Sequence, residues 1–91
     1  MVDIANLEYM LEAGQDNALL RFTLGSAFFN QKNYAQAAEH LYAAVERDPG
    51  YSAAWKLLGR SLYEHGRSKE AADAYREGLE IARKNGDKQA E

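Results

Sequence analysis

The chain repeats itself at a distance of 34 residues. When the sequence is shifted by that distance, Leu24-Gly25 aligns with Leu58-Gly59 and Ala37-Ala38 aligns with Ala71-Ala72. Three further aligned pairs are Phe28 with Leu62, Leu41 with Tyr75, and Ala44 with Gly78. Within each copy the apolar residues recur every three or four positions, which is typical of helices and not of strands. The sequence therefore predicts two copies of a helix hairpin, stacked on each other.

Composition agrees with a helical chain. The β-branched residues are too few to furnish a sheet: Val2, Ile4, Thr23, Val45 and Ile81. There is no cysteine, which excludes disulfides, thiolate metal sites and thiol catalysis. The first 17 residues contain acids where a signal peptide would carry bases, and no apolar run approaches the roughly 20 residues that span a bilayer. We expect an all-α, soluble protein located in the cytoplasm.

Local chemistry predicts where the helices begin and end. Side chains that can cap a helix precede three of them, namely Asp16 or Asn17, Asn33, and Ser52. Pro49 ends the second helix near Arg47, because it lacks an amide proton and disfavours helical dihedrals in the preceding residue. Gly66 precedes a last helix over 68–84, which Asn85-Gly86 can close. The chain then divides into an N-terminal capping helix (1–17), repeat 1 (18–51), repeat 2 (52–85) and a tail (86–91).

Two glycines lie in the middle of predicted helices. Glycine costs about 1 kcal/mol relative to alanine there, so Gly25 and Gly59 need a compensating contact. We interpret them as points where the two helices of a hairpin approach closely, with Ala37 and Ala71 opposite. Trp55 would fill the wider space one turn away. This pattern is typical of a packed core.

At these positions the chain resembles the tetratricopeptide repeat proteins, whose repeat carries a large aromatic residue, Leu-Gly, alanines in the second helix and a late proline. Repeat 2 matches with Trp55, Leu58, Gly59, Leu62, Ala71 and Tyr75, and repeat 1 with Leu24, Gly25, Phe28, Tyr34, Ala37, Leu41, Ala44 and Pro49. Arg21 departs from the pattern at the tryptophan position, and Arg83 at a second proline position. The resemblance implies a right-handed superhelix of stacked antiparallel hairpins, an α-solenoid fragment that binds proteins or peptides and is not an enzyme.

The resemblance also implies a concave groove lined by the first helix of each repeat. The predicted groove positions are Leu19, Phe22, Ser26, Phe29 and Asn30, then Ala53, Lys56, Arg60, Tyr63 and Glu64. An aromatic side and a basic side suit a short segment with an apolar anchor and an acidic group. Alternatively, Phe22 and Phe29 pack against the N-terminal helix. The clamp for chaperone tails is largely absent, because its positions read Phe22, Ser26 and Leu57.

The last predicted helix has an open face. Repeats need neighbours to cover their apolar sides, and Ala72, Leu79 and Ile81 lie where a further helix would pack. A second copy of the chain would cover them, so we expect a homodimer or higher oligomer, unless the chain is a fragment whose continuation supplies the helix. Two functions follow: an adaptor that binds a partner in the groove, or a self-assembling structural module.

Residues able to carry chemistry are sparse. His40 and His65 are predicted to be surface residues, because neither has the spacing of a metal site. Ser61 precedes His65 by one turn but lacks a buried acid, and no phosphate-binding glycine loop is present. A nucleic-acid role would use Lys56, Arg60 and Arg67, but the net charge of −3 disfavours it. We expect no enzyme activity, no cofactor and no metal, and neither nucleic acid nor membrane as a partner.

Overall fold

The computed structural model describes residues 3–86, and this range contains α-helices and no strand. The helices are α1 (Ile4–Glu12), α2 (Ala18–Asn30), α3 (Tyr34–Arg47), α4 (Ser52–Glu64) and α5 (Ser68–Lys84). The all-α prediction is confirmed. Of the predicted tail, only Gly86 lies within the described residues.

The helix starts confirm most of the predicted caps. The Asn17 side chain accepts a hydrogen bond of 2.8 Å from the Leu20 amide, and Asn33 caps α3. Ser52 was expected to cap α4, and this prediction is wrong. The helix already begins at Ser52, and Tyr51 occupies the cap position without a side-chain cap hydrogen bond.

Each helix packs against its neighbours in chain order. The hairpins α2/α3 and α4/α5 stack through α3 and α4, and α1 covers α2. The largest fully buried apolar side chains are Leu24, Leu41, Leu58 and Leu62, and the larger Phe28 is also buried. Four apolar residues of α1 lie against this core, namely Ile4, Leu7, Met10 and Leu11. One continuous core therefore runs through the stack.

Helix α1 is a third copy of the second helix of the repeat. Shifted by 34 residues, its Ile4, Leu7 and Leu11 fall on Ala38, Leu41 and Val45 of α3, and then on Ala72, Tyr75 and Leu79 of α5. Helices α1, α3 and α5 are thus equivalent, and α2 and α4 pack between them.

The two mid-helix glycines make different close contacts. A methyl group at Gly25 would lie 2.6 Å from Leu41 Cγ and 3.2 Å from the Ala37 carbonyl oxygen, so the expected approach to Ala37 is confirmed. At Gly59 the nearest atoms belong to the Tyr75 ring, at 3.0 Å. The atoms nearest to Gly59 therefore belong to Tyr75, which is the equivalent of Leu41 in the 34-residue period.

Trp55 and α5 hold the loop between the two hairpins. The Trp55 Nε1 donates a hydrogen bond of 2.8 Å to the Pro49 carbonyl oxygen. The Asn85 Nδ2 donates one of 3.0 Å to the Gly50 carbonyl oxygen. Both carbonyl groups of the Pro-Gly turn are thus bound by side chains of the second repeat.

Arg21 stands at the tryptophan position of the repeat pattern and forms a network of charged hydrogen bonds there. Its Nε and Nη2 donate to the Asp16 carboxylate at 2.9 and 3.0 Å, and Arg47 donates to the same group. The hydrogen bond from Arg21 is the main reason why the pKa of Asp16 is lowered. The network ties the α1–α2 loop to α2 and α3.

His40 completes this network from α3. Its Nδ1 lies 3.1 Å from Arg21 Nη1, and because a guanidinium only donates, Nδ1 is the acceptor. The imidazole stacks on the Phe28 ring at 5.5 Å with an interplanar angle of 2°. His40 is only 8% exposed, so its prediction as a surface residue is wrong. Burial, and then the positive charge of Arg21, lower the pKa of His40.

Candidate functional site

Helices α2 and α4 lie side by side and carry the eight residues singled out from the sequence. We call this surface the α2–α4 face: Leu19, Phe22, Ser26, Phe29, Asn30, Lys56, Arg60 and Tyr63. None of the eight is buried. Leu19 and Tyr63 are its most exposed large apolar side chains, at 66% and 64%. The face therefore offers apolar and cationic groups to solvent together.

Aromatic pairs form the half-buried base of this face. The Phe22 ring lies 5.0 Å from the Tyr51 ring, and the Phe29 ring meets the edge of Tyr34 at 5.4 Å. Tyr34 belongs to the second helix of repeat 1, and Tyr51 directly precedes α4. Such pairs add about 0.5–1.5 kcal/mol beyond their buried area, so they fix the positions of the rings.

Arg60 bridges the two helices across the face. Its guanidinium carbon lies 4.8 Å from the centre of the Phe29 ring, a cation–π contact. Lys56 is half-buried, because the stem of its side chain packs near Gly78 on α5. Within residues 3–86, neither Lys56 nor Arg60 forms a salt bridge. The positive charge of Arg60 is thus oriented by an aromatic ring and is not neutralised by a carboxylate there.

Two aromatic residues that pack beneath the α2–α4 face were not identified from the sequence as part of the site. Tyr51 was included in repeat 1 (18–51) without a role, and Tyr34 was noted only as a repeat position. Tyr51 has no aromatic counterpart one repeat earlier, where Asn17 stands, so the 34-residue period gives no signal for it. Proximity to Phe22 appears only when the second repeat stacks on the first.

The three residues predicted to form an oligomer interface do not all lie on the same side of α5. Ala72 is exposed, and Leu79 is 60% exposed. Ile81 is half-buried and lies two residues beyond Leu79, about 200° around the helix, so it does not share the open face. Tyr75 lies closer to that face and is 37% exposed.

A cavity of about 250 Å³ lies on the other side, between α3 and α5. Tyr42 and Glu70 line it, and they also line an adjoining cavity of about 280 Å³. The Tyr42 hydroxyl donates a hydrogen bond of 2.9 Å to Glu70, and Arg67 donates one to the same carboxylate. The bond from Arg67 is the main cause of the lowered pKa of Glu70. These polar groups are engaged with one another.

The other residues considered for chemistry are placed apart. The Ser61 hydroxyl is buried and donates to the Leu57 carbonyl oxygen at 2.9 Å. His65 is exposed at the end of α4, as predicted for it. Between residues 3 and 86, no three His, Cys, Asp or Glu side chains converge as metal ligands. Of the five helices described, none is long and apolar enough to cross a membrane.

The chain is similar to proteins that contain tetratricopeptide repeats. The sequence model of the tetratricopeptide repeat matches residues 4–52 and 22–87. The TPR repeat-containing protein PA0015 of Pseudomonas aeruginosa is 50% identical over 88 residues, which cover 97% of this chain and 84% of that protein. The small glutamine-rich tetratricopeptide repeat-containing protein 2 of Saccharomyces cerevisiae is 32% identical over 65 residues, 71% of this chain but only 19% of that protein.

A solved structure shows the same arrangement. The solution structure of protein BPP2914 from Bordetella parapertussis matches with a TM-score of 0.81 and 43% sequence identity. The match covers 98% of this chain and 77% of that one. The first family match begins at residue 4, which agrees with α1 as a copy of the second helix of the repeat.

Proposed function

Because this chain belongs to the tetratricopeptide repeat family, whose repeats are generally protein-interaction modules, we propose that it binds a short segment of a partner protein on its α2–α4 face. The observation that carries the proposal is the arrangement around Phe29, where Arg60 covers a half-buried ring and the exposed Tyr63 lies on the same helix, one turn beyond Arg60. The proposed role is that of a non-enzymatic adaptor.

The chemistry of the face defines the segment. A few residues supply most of the affinity at protein interfaces, and Tyr and Arg are common among them. Tyr63 and the neighbouring exposed Leu19 are suited to contact an apolar anchor. Arg60 presents a guanidinium without a carboxylate partner among the described residues, so it favours an acidic group on the ligand. The proposed ligand is a short segment with an apolar anchor next to an Asp, a Glu or a free carboxylate.

Two tyrosines on different helices allow a matched test. Tyr63 lies on the α2–α4 face, and Tyr9 is similarly exposed (69%) on α1, outside this face. A random peptide library is selected against the wild-type protein, and the enriched peptides are measured by fluorescence anisotropy. Tyr63→Ala should weaken binding at least tenfold, whereas Tyr9→Ala should leave it unchanged. Equal effects of the two substitutions, with helicity preserved, would contradict the proposed site.

The acidic requirement is tested separately. Arg60→Gln removes the charge, and selection against this variant should no longer enrich acidic peptides. Arg67→Gln is the control, because Arg67 lies at the start of α5 and binds Glu70. If both variants select the same peptides as wild type, then the face does not recognise an acidic group.

A second candidate function is self-assembly through α5. It is favoured by the exposure of Leu79, an apolar side chain that no described part of the chain covers. In this role the protein acts as a homodimeric structural module. The two functions use different surfaces and are compatible with each other.

A further inference from the structure

Helices α1 and α3 are each covered by the helix that follows them, but no described helix follows and covers α5. In α3, the residues Ala38, Leu41 and Val45 are buried, and α4 packs against that helix. The equivalent residues of α5 are Ala72, Tyr75 and Leu79, and all three are exposed. Within the described chain, this stripe is therefore covered on α3 and open on the equivalent helix α5.

The charges beside this apolar stripe follow a definite order. Asp73, Arg76, Glu80 and Arg83 succeed one another at spacings of three, four and three residues, on one side of the stripe. Their signs are antisymmetric about Gly78. Residue 73 is acidic where residue 83 is basic, and residue 76 is basic where residue 80 is acidic.

We propose that two copies of the chain pair through α5 in antiparallel orientation, with a two-fold axis at the level of Gly78. Such an axis is perpendicular to both helices and keeps the charged stripes of the two copies on the same side of the pair. Arg76 then lies opposite Glu80 of the second copy, and Asp73 opposite Arg83 of the second copy. Every acid of the stripe meets a base, and this complementarity identifies a second copy as the occupant.

The apolar stripe fits the same arrangement. In this register Leu79 and its counterpart in the second copy are two residues apart along the axis, about 3 Å. Leu79 therefore lies near the centre of the interface, with Ala72 and Tyr75 beside it. The pairing refines the self-assembly candidate and does not depend on binding at the α2–α4 face.

The charges are available for pairing between copies. Within one copy, Arg76 binds Asp73 at 3.0 Å and Arg83 binds Glu80 at 3.0 Å. The side chains of both pairs are more than half exposed, and such surface pairs are weak. Replacing these two salt bridges by equivalent ones between the copies therefore costs little free energy, while Leu79 becomes buried.

The interface is small, so association depends on concentration. A single helix face falls below the roughly 1,200 Å² of total area that stable complexes bury. The wild-type mass, measured by light scattering over a wide concentration range, should rise from 10.2 kDa toward twice that value. Leu79→Glu should hold the mass at the monomer value. The control Leu19→Glu, at a position of similar exposure on α2, should behave as wild type.

The register is tested by complementary charge variants. Arg76→Glu and Glu80→Arg each place like charges opposite one another in a homodimer, so each variant alone should remain monomeric. In an equimolar mixture, the two variants form a heterodimer in which both pairs are opposite in sign, and the mass should rise again. Charge interactions within one helix cannot produce this recovery, because they are the same for a variant measured alone and for that variant in the mixture.

The outcomes separate this proposal from peptide binding. A wild-type mass that stays at 10.2 kDa at every concentration, or a mixture that fails to recover dimer, overturns the antiparallel pairing. Tyr63→Ala should leave the dimer intact, and Leu79→Glu should leave binding of the selected peptides intact. Failure of either function therefore leaves the other one measurable.

Discussion

The two mid-helix glycines should respond differently to the same substitution. At Gly25, the new methyl group would lie 2.6 Å from Cγ and 2.9 Å from Cδ2 of Leu41, about 1 Å closer than ordinary carbon contacts. Leu41 is fully buried, and side chains in a close-packed core have little room to move. At Gly59 the methyl group meets the Tyr75 ring at 3.0 Å, and this ring is 37% exposed and can turn toward solvent.

The magnitudes follow from two opposing terms. Overpacking a core costs about 1–3 kcal/mol, and the contact at Gly25 belongs at the upper end of that range. Replacing a helical glycine by alanine returns about 1 kcal/mol. Gly25→Ala should therefore lower the free energy of unfolding by about 2 kcal/mol and Tm by roughly 8–16 °C, whereas Gly59→Ala should stay within about 1 kcal/mol of wild type.

Urea denaturation followed by far-UV circular dichroism measures both variants under identical conditions. The slope with urea should be unchanged, so that the midpoint reports stability. Equal losses for Gly25→Ala and Gly59→Ala would refute the reasoning, because they would show that burial of the opposing side chain does not set the cost. A stabilised Gly25→Ala would show that Leu41 is free to move.

Two other predictions concern the side-chain networks. The lowered pKa of His40 means that this residue binds more protons in the unfolded chain, so its contribution to the free energy of unfolding should fall as the pH drops below the ordinary pKa of 6.5 and level off below the folded-state pKa. In His40→Gln this dependence should be reduced, and urea midpoints at pH 8 and pH 5 that shift as much as in wild type would contradict it. Trp55→Phe keeps most of the packing but removes the hydrogen bond to the Pro49 carbonyl, and it should cost about 0.5–1.5 kcal/mol. If urea denaturation monitored by circular dichroism gives the same midpoint for Trp55→Phe and wild type, then that hydrogen bond does not contribute to stability.

The sequence was sufficient for features that depend on local chemistry. The period of 34 residues, the asparagine caps and the Pro49 break predict helix bounds that agree with the structure, because caps and breaks act within one turn. The approach of Gly25 to Ala37 was also predictable, since both belong to one hairpin.

The errors fall where side chains from different parts of the stack meet. His40 is buried where it stacks on Phe28 and accepts a hydrogen bond from Arg21, a relation between α2 and α3 that none of these residues shows alone. Tyr51 joins the candidate site only through its contact with Phe22. Periodicity identifies equivalent positions, but it does not show when their neighbours differ.

The bound carbonyl groups of Pro49 and Gly50 have a mechanical consequence. A hinge needs backbone groups that change partners at little cost, but here Trp55 and Asn85 hold both carbonyls from the second hairpin. Bending at residues 49–50 would break these hydrogen bonds, so they oppose a change in curvature at this turn. A turn that is already held in one conformation loses less conformational entropy when a partner binds, and this favours binding.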